Sequence, residues 1–467
     1  MTTTQAPATT GARPALRRNL GVGSLVFMVV AAAAPLTVVG GTVPLVFATS
    51  RSTGVPAHYL IAAVVLTVFS VGFTTMSRYV DNAGAFYTYV RAGLGRIAGT
   101  GSATLALFSY AVLAISVYAY CGAATTNALQ HYFGVDTPWW VWTALTALLV
   151  AWLGYHDIEL SSKVLGLLLL GEVAVIVVLD VAVLARGGHS SLTLSPFSPT
   201  AVGEGSPGVG LMFAFFGFIG FEATAVFRDE TRDPDRTIPR ATYIAVISIG
   251  LFYALSSWAI AMGSGVPHIV SDSTADPEGL VVTLAGDYVL PVLGDIVQVL
   301  LVTSLFACVL SFHNVVTRYQ YALGAERILP ARLGEIHLRH HAPSYSSLVH
   351  SAVTAVALVV VTVAGLDPVT QIYAWLSGAA TLGLLLLMSL TSAAVIVYFA
   401  RHEARLSRWR TLVAPALALA GLIGVTLLVV DNFPLLVGGT VAAWATAGTV
   451  ALSFAVGVVL AARRRAV

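Results

Sequence analysis

Two acids stand nearly alone in long apolar stretches: Glu222, behind Phe213-Ala214-Phe215-Phe216-Gly217-Phe218-Ile219-Gly220-Phe221, and Glu172, in Leu169-Leu170-Gly171-Glu172-Val173-Ala174. An ionisable group at mid-depth of such a helix is costly in lipid, so it marks a polar cavity or pathway where it can exchange a proton or hold a cation. Gly217 and Gly220 beside Glu222 weaken the helix. Opened backbone inside a membrane is tolerated only where it is buried in protein or lines a cavity.

A second interruption is written near the N-terminus, where Ala33-Ala34-Pro35-Leu36-Thr37 is followed by Gly40 and Gly41. Proline has no N–H and leaves an upstream carbonyl without its helical donor. Half-helix N-termini offer N–H groups to a carboxylate, and half-helix C-termini offer carbonyls to an ammonium. A zwitterion can therefore be held without placing a protein charge in lipid. The candidate substrate-binding residues are Ala33, Ala34, Pro35, Leu36 and Thr37 with Phe216, Gly217, Phe218, Ile219 and Gly220; the proton-coupling candidates are Glu172 and Glu222.

The elements that position these residues are membrane spans. Of 467 residues, 57% are hydrophobic and 10% charged, against about 25% charged in an average soluble domain. Apolar stretches long enough for a hydrocarbon core of roughly 30 Å recur over 20–48, 56–77, 97–130, 138–154, 160–185, 207–228, 239–263, 292–323, 344–364, 368–399, 411–430 and 434–461. The connections 186–206, 264–291 and 324–343 are too short for an independent core. Residues 1–18 read as a disordered cytoplasmic tail, 19–400 as a transport core with repeats at about 19–186 and 207–400, and 401–467 as spans eleven and twelve with a cytoplasmic C-terminus.

Cytoplasmic loops retain Lys and Arg. An inside N-terminus places Arg13, Arg17, Arg18, Arg78, Arg91, Arg96, Lys163, the arginines at 228, 232, 236 and 240, Arg318, Arg327, Arg332, Arg339, the 401–410 cluster and Arg463 to Arg465 on that face. Arg51 and Arg186 fall outside, so both termini are expected in the cytoplasm of a multi-pass cell (plasma or inner) membrane protein. The arginines, the apolar run from Leu20 to Val30 and the small residues Ala31 to Ala34 imitate a signal peptide, but the run continues to Ala48. With a net charge of +2, no attraction to nucleic acid is implied.

The remaining polar residues have simpler readings. Cys121 and Cys308 lie in separate spans and suit packing. Asp180, near the outer end of span five, reads as structural, His313 with Asn314 as a packing pair, and His337, His340 and His341 as solvated and without metal-ligand spacing. Gly208 and Gly210 follow no strand and are not a dinucleotide fingerprint. The alternating charges from Arg228 to Arg240 read as a solvated loop.

The chain resembles the amino acid–polyamine–organocation (APC) permeases in three ordered stretches. These are Gly220-Phe221-Glu222 with Asp229-Glu230, Pro234, Arg236 and Ile238-Pro239-Arg240; Asn82-Ala83-Gly84-Ala85-Phe86-Tyr87-Thr88-Tyr89; and Arg318 to Pro330, with Tyr321-Ala322 and Ile328-Leu329-Pro330. The resemblance implies an all-α integral membrane protein of about twelve transmembrane helices, with a LeuT-type five-plus-five inverted repeat, broken helices one and six, and two extra helices. It also implies that Phe216 covers bound substrate and that Glu222 serves proton coupling. The chain departs from the family twice. The usual Gly-x-Gly break is here Ala33-Ala34-Pro35-Leu36-Thr37, and Glu172 stands where proton-coupled relatives often carry a lysine.

The expectation is a secondary active transporter of amino acids working by alternating access, with a proton as coupling ion, no other cofactor and no enzymatic activity. Alternatives are a polyamine or organic amine transporter or exchanger, in which Glu172 and Glu222 neutralise ammonium groups, and a non-transporting membrane sensor. Its expected partners are an amino acid or amine and the lipid bilayer.

Overall fold

The structure, a computed structural model, describes residues 20–80, 85–156, 162–189, 191–337, 342–402 and 406–463. The tail 1–18 with Arg13, Arg17 and Arg18, and Asn82, Ala83, Gly84, Arg339, His340, His341, Arg405, Arg464 and Arg465, lie outside the described residues. So do the side chains of Lys163 and Asp229.

The described chain is helical, in the order α1 (Val22–Ala33), α2 (Val43–Ser50), α3 (Val55–Met76), α4 (Ala85–Leu94), α5 (Arg96–Phe133), α6 (Trp139–Tyr155), α7 (Ser162–Ala185), α8 (Pro199–Gly203), α9 (Pro207–Phe216), α10 (Ala223–Val226), α11 (Pro234–Ser264), α12 (Ile269–Ala275), α13 (Leu280–Tyr288), α14 (Pro291–Ala325), α15 (Ser344–Val363), α16 (Ala374–Arg401), α17 (Ala414–Val437) and α18 (Thr440–Arg463). Among the described residues, ten helical segments are long and apolar enough to cross a bilayer. Trp139–Tyr155 and Pro207–Phe216, where two further crossings are predicted, are shorter apolar helices of 17 and 10 residues.

The outward faces are those of a protein solvated by lipid. Leu148, Leu167, Val356, Val363, Val441 and Trp444 are each more than 60% exposed, and a soluble protein rarely leaves so much apolar surface uncovered. Inside, α5 packs against α14, α3 against α11 and α16 against α4, around one continuous apolar core.

The first span breaks where the sequence demands it. The residue before a proline is driven out of the right-handed helical region, and Ala34 adopts φ 46°, ψ 71° and caps α1 through its N–H to Ala31 O. The chain then resumes as a wide π-helical turn, Thr37–Thr42, before α2. Pro35 contributes no donor; Gly41 lets the Tyr120 ring approach the backbone where a Cβ would collide with it.

The sixth span breaks by tightening. After α9, Phe218 N–H reaches Phe215 O at 3.1 Å, Ile219 N–H reaches Phe216 O at 3.0 Å and Phe221 N–H reaches Phe218 O at 3.2 Å, all three-residue steps. Gly220 sits at φ 109°. The regular ladder is lost over 217–222, and α10 restarts at Ala223.

The charges after the sixth span are largely solvated, Asp233, Asp235 and Arg236 each more than half exposed, but the backbone that carries them is anchored. Thr231 is fully buried. Leu20 pairs with it in a parallel bridge, its N–H to Glu230 O at 3.0 Å and its carbonyl accepting from Arg232 N–H at 2.9 Å. Arg228 and Arg78 both close onto Asp235, at 3.1 Å to its carboxylate and 2.7 Å to its carbonyl. The loop straps the starts of spans one and seven together at one membrane face.

Candidate functional site: two opposed helix breaks

The two interruptions face each other across the molecular centre. A Cβ built on Gly220 would lie 3.0 Å from the Ala32 Cβ. Tyr253 of α11 wedges between them, donating its hydroxyl to Ala33 O at 3.0 Å and lying 3.1 Å from where a Gly217 Cβ would be. The freed carbonyl at the end of α1 is thus satisfied by protein, as a non-aqueous setting requires.

Glu172 of α7 meets the same break from another side. Its Oε2 accepts from Leu36 N–H at 3.5 Å and from Ser304 Oγ of α14 at 3.0 Å, and Ser304 in turn accepts from Thr37 Oγ1 at 3.1 Å. Leu36 follows the proline and opens the resumed helix, so its amide is one of the donors a half-helix N-terminus leaves unpaired. The carboxylate is 5% exposed. A negative group beside a helix N-terminus is electrostatically favourable.

Glu222 plays a different part. Its Oε2 accepts from Gly220 N–H at 3.0 Å and its Oε1 from the Tyr110 hydroxyl of α5. One carboxylate therefore locks the turn after Gly220 and ties it to the third span. Beneath it Phe69, Phe73, Phe86 and Phe221 stack with centroids 5.6–6.4 Å apart. The residual cavity there, also lined by Ile219 and Met388, holds about 10 Å³, room for about one water.

On the other side of the breaks Phe216 meets Tyr373 edge-on at 5.9 Å, and Tyr373 meets Tyr120 at 4.8 Å. The Tyr373 hydroxyl is 2.6 Å from Thr42 Oγ1. Phe216, 7% exposed, is thus part of an aromatic roof. Ala33, Ala34, Pro35, Leu36, Thr37, Gly217, Phe218 and Ile219 are all buried and Gly220 is nearly so. The site is closed toward both faces.

Sequence reasoning missed Tyr253, Tyr110, Ser304, Tyr59 and Tyr120. Tyr59 and Tyr120 are fully buried, and neither hydroxyl finds a partner among the described residues. Tyr120 lies against Gly41, and Tyr59 lies 3.3 Å from a Gly217 Cβ position. Both hydroxyls thus lie beside the interrupted backbone. The one signal in the sequence was a tyrosine at mid-depth of an otherwise apolar span.

Three minor readings are revised or placed. His313 pairs with Ser347 at 2.9 Å and with the His350 ring at 4.9 Å, not with Asn314. Cys121 and Cys308 are buried free thiols. Gly208 and Gly210 are close-packing positions, against α17 and the His58 ring respectively.

Over the roof lies the α12–α13 hairpin, where Asn127 Nδ2 donates to Glu278 Oε2 at 2.6 Å. Burial, then Asp367 and Asp276, pushes Glu278 up to about 7. A carboxyl raised in the docked state binds its proton more tightly there. Docking is therefore favoured fully below the ordinary value of 4.5 and loses that contribution as pH rises through about 7. Hydrogen exchange of residues 280–288, corrected for intrinsic rates, should lose protection between pH 5 and 8, and Glu278→Gln should flatten the dependence. Equal slopes in both proteins would refute it.

Ten apolar crossings, lipid-facing aliphatic surfaces and two opposed interruptions with buried acids define a multi-pass helical membrane protein. The family profile described as Amino acid permease matches residues 25–465, and the chain belongs to that family. It is 25% identical over 307 residues to the branched-chain amino acid permease of Lactococcus lactis, covering 62% of this chain and 64% of that protein. It is 23% identical over 359 residues to the branched-chain amino acid permease of Bacillus subtilis, covering 72% and 73%. An uncharacterized transporter of Mycobacterium tuberculosis is 27% identical over 345 residues, 73% of each chain. The chain thus spans just under two thirds of the Lactococcus protein's length.

Proposed function

We propose that the protein is a proton-coupled, alternating-access importer of amino acids with apolar side chains in the cell membrane, both termini cytoplasmic. The observation that carries this is the facing of the two breaks, with Glu172 held on the Leu36 amide. The substrate carboxylate and ammonium would bind opened backbone around Ala33–Thr37 and Phe216–Gly220, with Tyr59 and Tyr120 as hydroxyl partners. Leu36, Phe216, Phe218 and Ile219 offer an uncharged wall for the side chain. The branched-chain specificity of the named relatives fits such a wall.

The coupling chemistry rests on Glu172. Charged, it holds the Leu36 N–H and the Ser304 hydroxyl; protonated, it releases part of that grip, so one proton biases the break between two arrangements. Glu222 is a second candidate, but with Tyr110 and Gly220 as its donors it is better placed to pin the sixth break to α5. Closure over Phe216, Tyr120 and Tyr373 on one side and over the Phe69–Phe73–Phe86–Phe221 stack on the other supports two gates that open in turn.

Proteoliposomes with an alkaline interior should accumulate radiolabelled leucine, and an uncoupler should collapse that accumulation. Uptake indifferent to both would remove proton coupling, and stronger competition by putrescine than by isoleucine would replace the amino acid with an amine.

A further inference from the structure

A cleft at the foot of α18 takes no part in the site described above. It encloses about 710 Å³ between the α4–α5 corner, the segment after α14 and the last turn of α18, with Arg91, Arg96, Thr100, Glu326, Ile328 and Ala461 in its walls. That volume is in the range of ordinary small-ligand sites, roughly 300–1,000 Å³.

Its charge is lopsided. Arg91 donates through Nη1 to Glu326 at 2.9 Å, whereas the exposed Arg96 guanidinium makes no ion pair or hydrogen bond among the described residues. Arg401 donates to Gly93 O at 3.4 Å on the same corner, and Arg463 ends α18 two residues after Ala461. Four arginines and one glutamate thus stand on or beside the walls. An excess of cation favours an anion, and the planar guanidinium fork suits the oxygens of a phosphate.

The position of the cleft selects the kind of anion. Of the ten apolar crossings α18 is the least covered by protein, with only 17% of its most apolar stretch buried. Val456 and Val459, within two turns of Ala461, are 46% and 48% exposed. Hydrocarbon therefore reaches the mouth of the cleft, and Val80, Ala92 and Ile328 supply its apolar lining. A ligand there meets charge at one end and lipid at the other. Basic pockets between spans on a cytoplasmic surface, the face on which these arginines are expected, are where anionic lipid headgroups lodge.

We propose that the cleft binds the phosphodiester of an anionic phospholipid, Arg96 and the nitrogens of Arg91 that Glu326 leaves unused holding its oxygens, with the acyl chains against α18. Bound, the lipid ties the α4–α5 corner, the α14 exit and α18 together. The site stands apart from the two breaks, so it neither needs nor tests proton coupling.

The test incubates the protein in neutral detergent with phosphatidylglycerol or phosphatidylcholine, counts retained lipid by native mass spectrometry and follows thermal melting. The wild type should retain phosphatidylglycerol over phosphatidylcholine by about tenfold or more, the factor that one charge-assisted hydrogen bond supplies. Arg96→Gln should abolish that preference, and so should Ala92→Trp, which fills the cleft and leaves its charges in place. Arg236→Gln, which removes an equal charge from an exposed position outside the cleft, should leave the preference intact. An equal loss in Arg236→Gln, or a preference that survives in either cleft variant, overturns the site. Protection against melting by millimolar inorganic phosphate as great as that by phosphatidylglycerol makes the occupant a soluble anion and overturns the lipid. Should Arg96→Gln fail to fold, Ala92→Trp decides the matter alone.

Discussion

Replacing Glu172 with glutamine is expected to lower proton-driven leucine uptake about a hundredfold while leaving counterflow near the wild-type rate. Glutamine keeps an oxygen that accepts from Leu36 N–H and Ser304 Oγ, so the break and the Thr37–Ser304 contact should survive. What it loses is the charged state, fixing the site in imitation of the protonated acid. Uptake by Glu172→Gln should therefore be nearly flat with pH, whereas the wild type depends on it. Glu172→Ala strands the Leu36 amide in a dry setting and should depress both modes, because an orphaned buried donor costs about 1–3 kcal/mol. Coupled uptake by Glu172→Gln at the wild-type rate would transfer the coupling role to Glu222, where Glu222→Gln should then show the split.

Gly220→Ala should damage the sixth break although it adds only a methyl group. Gly220 holds φ 109°, a conformation side chains rarely adopt and that costs of order 1–3 kcal/mol when forced. Its new methyl would also lie 3.0 Å from the Ala32 Cβ across the site, and neither backbone can retreat without moving a break. If the turn rotates to relieve both, Glu222 loses the Gly220 amide and its hold on Tyr110. We expect thermal stability in detergent to drop by several degrees, about 2–4 °C for each kcal/mol in a large domain, and leucine binding to weaken at least about tenfold. Gly424→Ala in α17, with open space at its Cβ position, is the control and should be neutral or slightly stabilising, since alanine favours helix. Equal melting temperatures and equal leucine affinity for the two variants would show that the sixth break is not under this constraint.

Local and global causes divide cleanly along the chain. That it is a helical membrane protein was legible in its composition, because lipid forces each crossing to satisfy its own backbone and so makes every span a separate apolar word. The two interruptions were legible for the same reason: Pro35 and Gly220 act on their own turns, and the breaks fall at 34–36 and 217–222. Which groups occupy the breaks was not legible. Glu172 reaches Leu36 across 136 residues, Ser304 across 132, and Tyr253 reaches Ala33 across 220; spacing within one helix cannot report a contact made by the packing of three.

The acids show the same limit. Sequence marked Glu222 and Glu172 both as lone carboxylates that could exchange a proton, and only the assembled bundle gives Glu172 an amide at the first break and Glu222 a clamp on the sixth. Asp180 read as structural from its place near the outer end of span five, and only the packing of α7 on α11 gives it the Ser256 hydroxyl. The charges from Arg228 to Arg240 are largely solvated, as their alternation suggested, but Thr231 among them is buried by pairing with Leu20, which no local pattern announces. A residue's own side chain and its near neighbours fix where the backbone must open. Which distant side chains fill that opening, and so what the protein does there, is decided by how the helices pack.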